Sequence, residues 1–381
     1  MKNFYKISLI VFLSIFSIPI TTFASQKSSS QLNSKNLNEI NQTIDTVLSS
    51  KYESLESLSI SNVKNYIKNN ELIDLLNNQN TFYIKLSKKL NSKINNYDSK
   101  VKIEDISKDS SGKYIALVSY SVEFNLKNSS ITSKSLNEKY KLELINENNK
   151  WYITKLLDLD DFELTEPKLN TQNSYSVIQN TNPNFDDYQN ILDSQLSSID
   201  DMTKNIDKYY NYSKKSSLGN SINFARSYSG YNRQAAIDYA HKYAKGKNPK
   251  YKYFDGNDCT NFVSQCVYEG GGIPEGFGWK PALKDSWIDA KAWTCVNEFF
   301  DYMVSKGYAT APPDGCKHSN VGDVIQFYNK DKQTFSHAVI LTKSNDTGMY
   351  YSAHSKARYD YPVWLAFDGT YSNLRLIKFW S

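Results

Sequence analysis

The chain has four cysteines and four histidines, and their settings single out a nucleophile and a base among them. Cys259 follows Gly256-Asn257-Asp258 and opens a stripe at helical spacing: Cys259, Phe262, Val263, Cys266 and Val267, stopped by Gly270-Gly271-Gly272. That spacing puts the thiol in the first turn of a helix, with Asn257 or Asp258 as the cap. A thiol attacks as the thiolate, and a helix N-terminus favours the anion through its partial positive charge and free N–H groups. The same groups can hold the oxyanion formed when a carbonyl is attacked, which gives the Asp258 cap its place in the site. Free cysteines are often ordinary core residues. Cys266, two turns deeper, fits that description, and Cys259 in its polar setting does not.

A nucleophilic cysteine needs a base. His241 falls on the polar side of the preceding helix, and His318 sits in a loop before Gly322-Asp323. His337 opens the apolar run Ala338-Val339-Ile340-Leu341, a buried strand, and His354 closes Met349-Tyr350-Tyr351-Ser352-Ala353. Between them Ser344-Asn345-Asp346-Thr347-Gly348 is turn chemistry. A hairpin folded symmetrically about Asn345 and Asp346 sets His337 opposite His354, a base beside an orienting partner. The predicted catalytic set is therefore Cys259, His337 and His354.

Trp279 and Trp287 lie between the Cys259 helix and the next, whose core face is Val296, Phe299, Phe300 and Met303. They can line a substrate groove or pack the loop onto the core; Trp293 reads as packing. No Cys-x-x-Cys or His-x-x-x-His pair is present, so the expectation is no metal and no cofactor. With Cys266 inside the helix, Cys295 and Cys316 are the pair best placed for a disulfide.

The run Asp258-Cys259-Thr260-Asn261-Phe262-Val263-Ser264-Gln265, the later Gly322-Asp323-Val324-Ile325, and the strands of His337 and Tyr351-Ser352-Ala353-His354 resemble the bacterial "putative amidase domain" family. That family is a branch of the papain-like cysteine peptidases akin to NlpC-type cell-wall enzymes, and the likeness covers about 228–381. The resemblance implies Cys259 as nucleophile, His337 as base on the first core strand and His354 as the polar third member.

The elements that must position these residues divide the chain. Residues 1–6 are a positive n-region, 7–20 an apolar run, and Thr22-Phe23-Ala24 offers small residues at −3 and −1. That is a signal peptide cleaved after Ala24, since the run is short of the about 20 residues of a bilayer span. Residues 25–36 read as a flexible tether. Leu37, Ile40, Ile44 and Leu48 predict one helix; Val63, Ile67, Leu72, Leu75 and Leu76 predict a second. From Val101 the period becomes two: Tyr114, Ala116, Val118, Tyr120, Val122, Phe124 and Leu126 share one face, Tyr140, Leu142 and Leu144 repeat it, and 146–149 turn into Trp151-Tyr152-Ile153. Residues 37–165 thus form an α+β accessory unit that resembles the cystatin-like, nuclear-transport-factor-like fold. Residues 166–227 read as a linker holding a solvated connecting helix (Leu192, Leu196, Ile199, Ile206), and 228–381 as the papain-like domain. The fold class is α+β.

With 40% hydrophobic and 22% charged residues, the composition is that of a soluble protein. A net charge of +5 without a clustered basic face argues against nucleic acid. The expectation is a secreted, cell-wall-associated cysteine amidohydrolase acting on a peptide or peptidoglycan, with no membrane span after cleavage. A non-catalytic binding or adhesion protein on the same scaffold, or an acyl transferase through the same acyl-enzyme, are the alternatives.

Overall fold

In the computed structural model, which describes residues 32–159, 185–214, 230–286, 290–313 and 315–380, the first apolar stripe folds as helix α1 (Ser34–Ser57). The expected signal peptide, part of the tether, the stretch after 166 and Trp287 lie outside these residues. Ile40, Ile44, Val47 and Leu55 of α1 are buried, and the Asn33 side chain accepts from the Asn36 N–H at 2.8 Å to cap it. Asn69 caps α2 (Asn70–Leu90) in the same way, through the Leu72 N–H at 3.0 Å. Val63 and Ile67, expected in this helix, precede it; both are buried, and Ile67 bridges to Ile153.

Four antiparallel strands follow: β1 (Ile94–Lys108), β2 (Tyr114–Leu126), β3 (Thr132–Glu147) and β4 (Lys150–Asp158). The period of two in β2 has a direct cause, since Ala116, Val118, Tyr120, Val122, Phe124 and Leu126 are all buried against the helices. Asn148 and Asn149, both at positive φ, make the tight turn into β4.

The expected solvated connector is instead built into the core. Helices α3 (Tyr188–Lys204) and α4 (Ile206–Ser213) bury Tyr188, Leu192, Ile199, Met202 and Tyr209 in one cluster with Leu75, Phe82 and Leu86 of α2. Their charged residues lie on the polar face, while the apolar stripe decides the packing.

The C-terminal part comprises α5 (Arg233–Tyr243), α6 (Cys259–Gln265) continued by a wider π-turn at Cys266–Gly270, α7 (Lys291–Thr294), α8 (Val296–Ser305), β5 (Ala309–Thr310), β6 (Val324–Asn329), β7 (Thr334–Asn345), β8 (Gly348–Ala353), β9 (Ala357–Pro362) and β10 (Tyr371–Phe379). Asn232 caps α5 by accepting from the Ala235 N–H at 3.0 Å. A Cβ at Gly270 would lie 2.4 Å from the Ala235 carbonyl oxygen, so this glycine lets the π-turn pack directly against the backbone of α5.

Among the described residues the strands form one ten-stranded sheet, ordered β1-β2-β3-β9-β8-β7-β6-β10-β5 with β4 also on β3. The seam is β3. Lys134–Leu136 pair with β9 and Tyr140–Glu147 with β4, with Asn137 at φ 55° between the two partners. The segments expected as separate domains therefore share a sheet and a core, and residues 32–381 form one compact unit.

Arg358 of β9 bonds Glu138 of β3 at 2.7 Å, both buried, and the Ser133 hydroxyl donates to the Asp360 carbonyl at 2.6 Å. Burial alone would raise the Glu138 carboxyl; Arg358, with Ser135 and Tyr140, holds it below the usual range. A depressed folded value means the stabilisation is complete above the unfolded carboxylate value and is lost as pH falls through the folded one. Glu138→Gln leaves a buried guanidinium unpaired and is expected to cost about 3–5 kcal/mol in urea unfolding at neutral pH. The deficit should shrink as the pH is lowered.

Candidate active site

Strand β7 has two covered faces, and the alternation along it decides where each histidine points. Val339 and Leu341 share a core with Ile325, Phe327 and the α2 residues, whereas Ala338 and Ile340 share another with Phe262, Val263 and Cys266 of α6. His337 lies on the first face. Its ring stacks 6.3 Å from Phe327 and 5.9 Å from Tyr371, both members of that first core. Cys259 is carried by α6 on the other side of the sheet. The structure therefore does not bring His337 to Cys259.

The reason is a register shift of one residue. Asn345 pairs with Gly348, so the loop is Asp346-Thr347, and an irregularity at Thr342 leaves Leu341 opposite Tyr351 and Ile340 opposite Ser352. Continued along the strands, that register sets Ala338, not His337, against His354. A one-residue slip exchanges the two faces of a strand. His354 accordingly turns toward α6, stacking on Phe262 at 4.0 Å.

There His354 meets the residue next to Cys259. Its Nδ1 lies 2.6 Å from Asp258 Oδ2, and its Nε2 lies 2.9 Å from the Tyr243 carbonyl oxygen. A carboxylate oxygen and a carbonyl oxygen thus lie within hydrogen-bond reach of the two ring nitrogens, one at each. Asp258 was expected as a cap, but its carboxylate makes no capping bond to α6. Its Oδ1 accepts from the Phe254 N–H at 3.0 Å and from Asn261 Nδ2 at 2.8 Å, and its backbone N–H donates to Ser355 Oγ at 3.0 Å. Asn261 Oδ1 in turn accepts from Trp293 Nε1 at 2.7 Å. Asp258 is thus the held carboxylate that fixes His354. The pair escaped the sequence because nothing in the spacing of 258 and 354 signals contact.

Cys259 is 7% exposed, with Sγ 3.8 Å from the Thr260 hydroxyl. The other thiols differ. Cys266 and Cys316 are buried, and burial pushes both thiols well above their ordinary value. Neither is expected to react with iodoacetamide in the native protein, and both should label on unfolding, as read by peptide mapping after brief exposure. The Cys295–Cys316 disulfide is not formed. Cys316 packs in the core with α4 and β6, while Cys295 starts α8, whose Phe299 and Met303 belong to the core across the sheet.

Trp279 does not line a groove. It is fully buried, 4.8 Å from the Trp293 ring and 5.7 Å from the Tyr302 ring, with Nε1 donating to Ser264 at 3.4 Å. Its size makes it a core anchor for the loop. Trp293 packs as expected. His241, expected in solvent, bonds Asp360 at 2.8 Å. His318 is buried in a short helical turn, where its carbonyl accepts from Lys378 at 2.6 Å. His337 is uncharged where it sits: burial, with Lys356 and Arg358 nearby, drives its imidazole down to about 3. Arg233 bonds the buried Asp323 at 2.5 Å, and Asp323 accepts from the Phe379 N–H at 3.0 Å, tying α5 to the turn before β6 and to β10.

Among the described residues no cluster of three or more His, Cys, Asp or Glu could hold a metal ion, and no helix is long and apolar enough to cross a membrane.

The start of α6 thus places Cys259 next in sequence to a carboxylate that holds a histidine. Residues 230–377 match the family described as "Putative amidase domain". The match supports amide hydrolysis as the chemistry of this segment. Two curated proteins of Bacillus subtilis (strain 168) are similar: uncharacterized protein YjcM, 31% identical over 46% of this chain and 42% of its own length, and uncharacterized protein YhbB, 32% identical over 31% of this chain and 39% of its own. The chain thus spans less than half the length of either. No solved structure matches.

Proposed function

We propose that this protein is a cysteine amidohydrolase of papain-like type, with Cys259 as nucleophile and the Asp258–His354 pair as its proton partner. The observation that carries the reading is the 2.6 Å contact between His354 and the residue preceding Cys259, at the start of α6. The thiolate attacks the amide carbonyl, the amine leaves with a proton from the imidazolium, and water then releases the acid from the thioester. In the unliganded protein His354 Nε2 is held by the Tyr243 carbonyl, and that bond must be exchanged in the reacting state, since proton-transfer contacts often tighten only with substrate present. The signal-like residues 1–24 and the likeness to cell-wall enzymes direct the proposal to an exported protein and to peptide amides of peptidoglycan.

The test is to incubate the full chain with purified peptidoglycan and identify released fragments by mass. Fragments bearing a new carboxylate and a new amine support the reading, and their persistence in Cys259→Ala would remove Cys259 from it. An inert wall, with turnover of simple peptide amides, would keep the chemistry and discard the substrate.

A further inference from the structure

On the sheet face that carries His337, beneath α1 and α2, lies a cavity of about 150 Å³. Tyr52, Tyr83, Tyr140, Tyr351 and Tyr371 give it aromatic walls. Lys51, Lys356 and Arg358 line it together with Glu138, Asp158 and Asp368, and these charges are unequally matched. Arg358 bonds Glu138 at 2.7 Å, and Lys356 lies 3.0 Å from Asp158 and 3.9 Å from Asp368. Lys51 has no carboxylate within ion-pair distance among the described residues. Its ammonium donates to the Tyr361 hydroxyl at 3.3 Å and the Leu365 carbonyl at 3.2 Å, and lies 4.5 Å from the Tyr83 ring centre. His337 is 5% exposed, and its Nε2 has no hydrogen-bond partner among the described residues. Leaving buried polar groups unmatched is costly, so those that persist call for an explanation.

We propose that this cavity binds a small monocarboxylate of amino-acid size, its carboxylate held between Lys51 and His337. The anion supplies the partner that His337 Nε2 lacks and the negative charge that Lys51 lacks, and the charge-assisted bond to Lys51 is the stronger of the two. Size limits the remainder: a dry cavity of about 150 Å³ accommodates benzene, which corresponds to alanine or propionate and excludes a tripeptide. The tyrosine rings suit a short aliphatic tail. Because His337 is uncharged here, it contributes an N–H and Lys51 contributes the charge. Burial lowers the Lys51 ammonium to about 8, against the pull of Glu138, and a bound carboxylate would restore it. The site lies across the sheet from Cys259 and does not depend on the hydrolase reading.

The experiment is titration of the full chain with propionate, alanine and alaninamide, read by calorimetry and by ligand-observed NMR. Propionate and alanine are expected to bind, and alaninamide, which lacks the carboxylate, is not. Lys51→Met should weaken both carboxylates by about tenfold or more, and His337→Phe, which keeps a ring between Phe327 and Tyr371, should weaken them by less. Alkylation of Cys259 should be unchanged in Lys51→Met, so failure here is distinguishable from failure of the proposed function. Equal affinity for alanine and alaninamide, no binding by either carboxylate, or full affinity in both variants would overturn the proposal. Should Lys51→Met fail to fold, the three-ligand comparison on the unmodified chain and His337→Phe still decides.

Discussion

Cys259→Ala is expected to lower amide hydrolysis by about 10⁴-fold or more while the thermal unfolding midpoint stays near that of the unmodified protein. The rate effect is large because removal of a nucleophile abolishes the covalent route rather than weakening it. The stability effect is small because alanine removes a single sulfur atom from the buried first turn of α6 and leaves the rest of the side chain in place. The measurement is initial rate on a peptide amide, with the folding midpoint taken in the same buffer. A variant that retains a tenth or more of the activity would move the nucleophile elsewhere.

The second large effect separates the histidines. His354→Ala is expected to cost about 10²–10⁴-fold in turnover, the range for a lost acid–base group. It also strips Asp258 of its imidazole partner, so its loss of stability should exceed that of Cys259→Ala. His354→Asn can still donate an amide N–H to Asp258 and should recover stability without recovering rate. His337→Phe should turn over at close to the unmodified rate, because that ring faces the opposite core. The roles expected from the sequence, His337 as base and His354 as its orienting partner, imply the reverse order. An inactive His337→Phe beside an active His354→Ala would assign the base to His337 and require β7 to turn its other face to α6 when substrate binds.

That contest shows where the sequence was legible. Wherever one face of an element is apolar over many residues, as along β2 from Ala116 to Leu126, burial dictates the element and its orientation. The cap at Asn232 and the turn at Asn148-Asn149 are equally local, and chemistry within a few residues determines them. The start of the Cys259 helix was legible for the same reason. The hairpin between His337 and His354 was not, because both faces of β7 are buried and its apolar run carries no alternation to fix the register. The turn residues Asn345 to Gly348 admit more than one loop, and the irregularity at Thr342 is set by neighbours distant in sequence. Trp279 posed a related difficulty: a tryptophan in a loop reads the same whether it faces ligand or core. Lys51, Glu138 and Arg358 lie far apart in the chain, and only the pairing of β9 with β3 brings them to one cavity.

The seam between β3 and β9 also sets a timetable. The Ser133 hydroxyl reaches the Asp360 carbonyl across 227 positions of chain. A ribosome adding about 5–20 residues per second takes roughly 10–45 s to supply that partner. Local helices and hairpins form in microseconds, so α1 to β4 can be assembled long before β9 exists. Throughout that interval residues 134–136 present unpaired N–H and carbonyl groups to any passing strand. Holding that edge apart from other nascent chains until β9 arrives is a task that falls to the cell, and the yield of soluble protein should follow the supply of chaperones during synthesis.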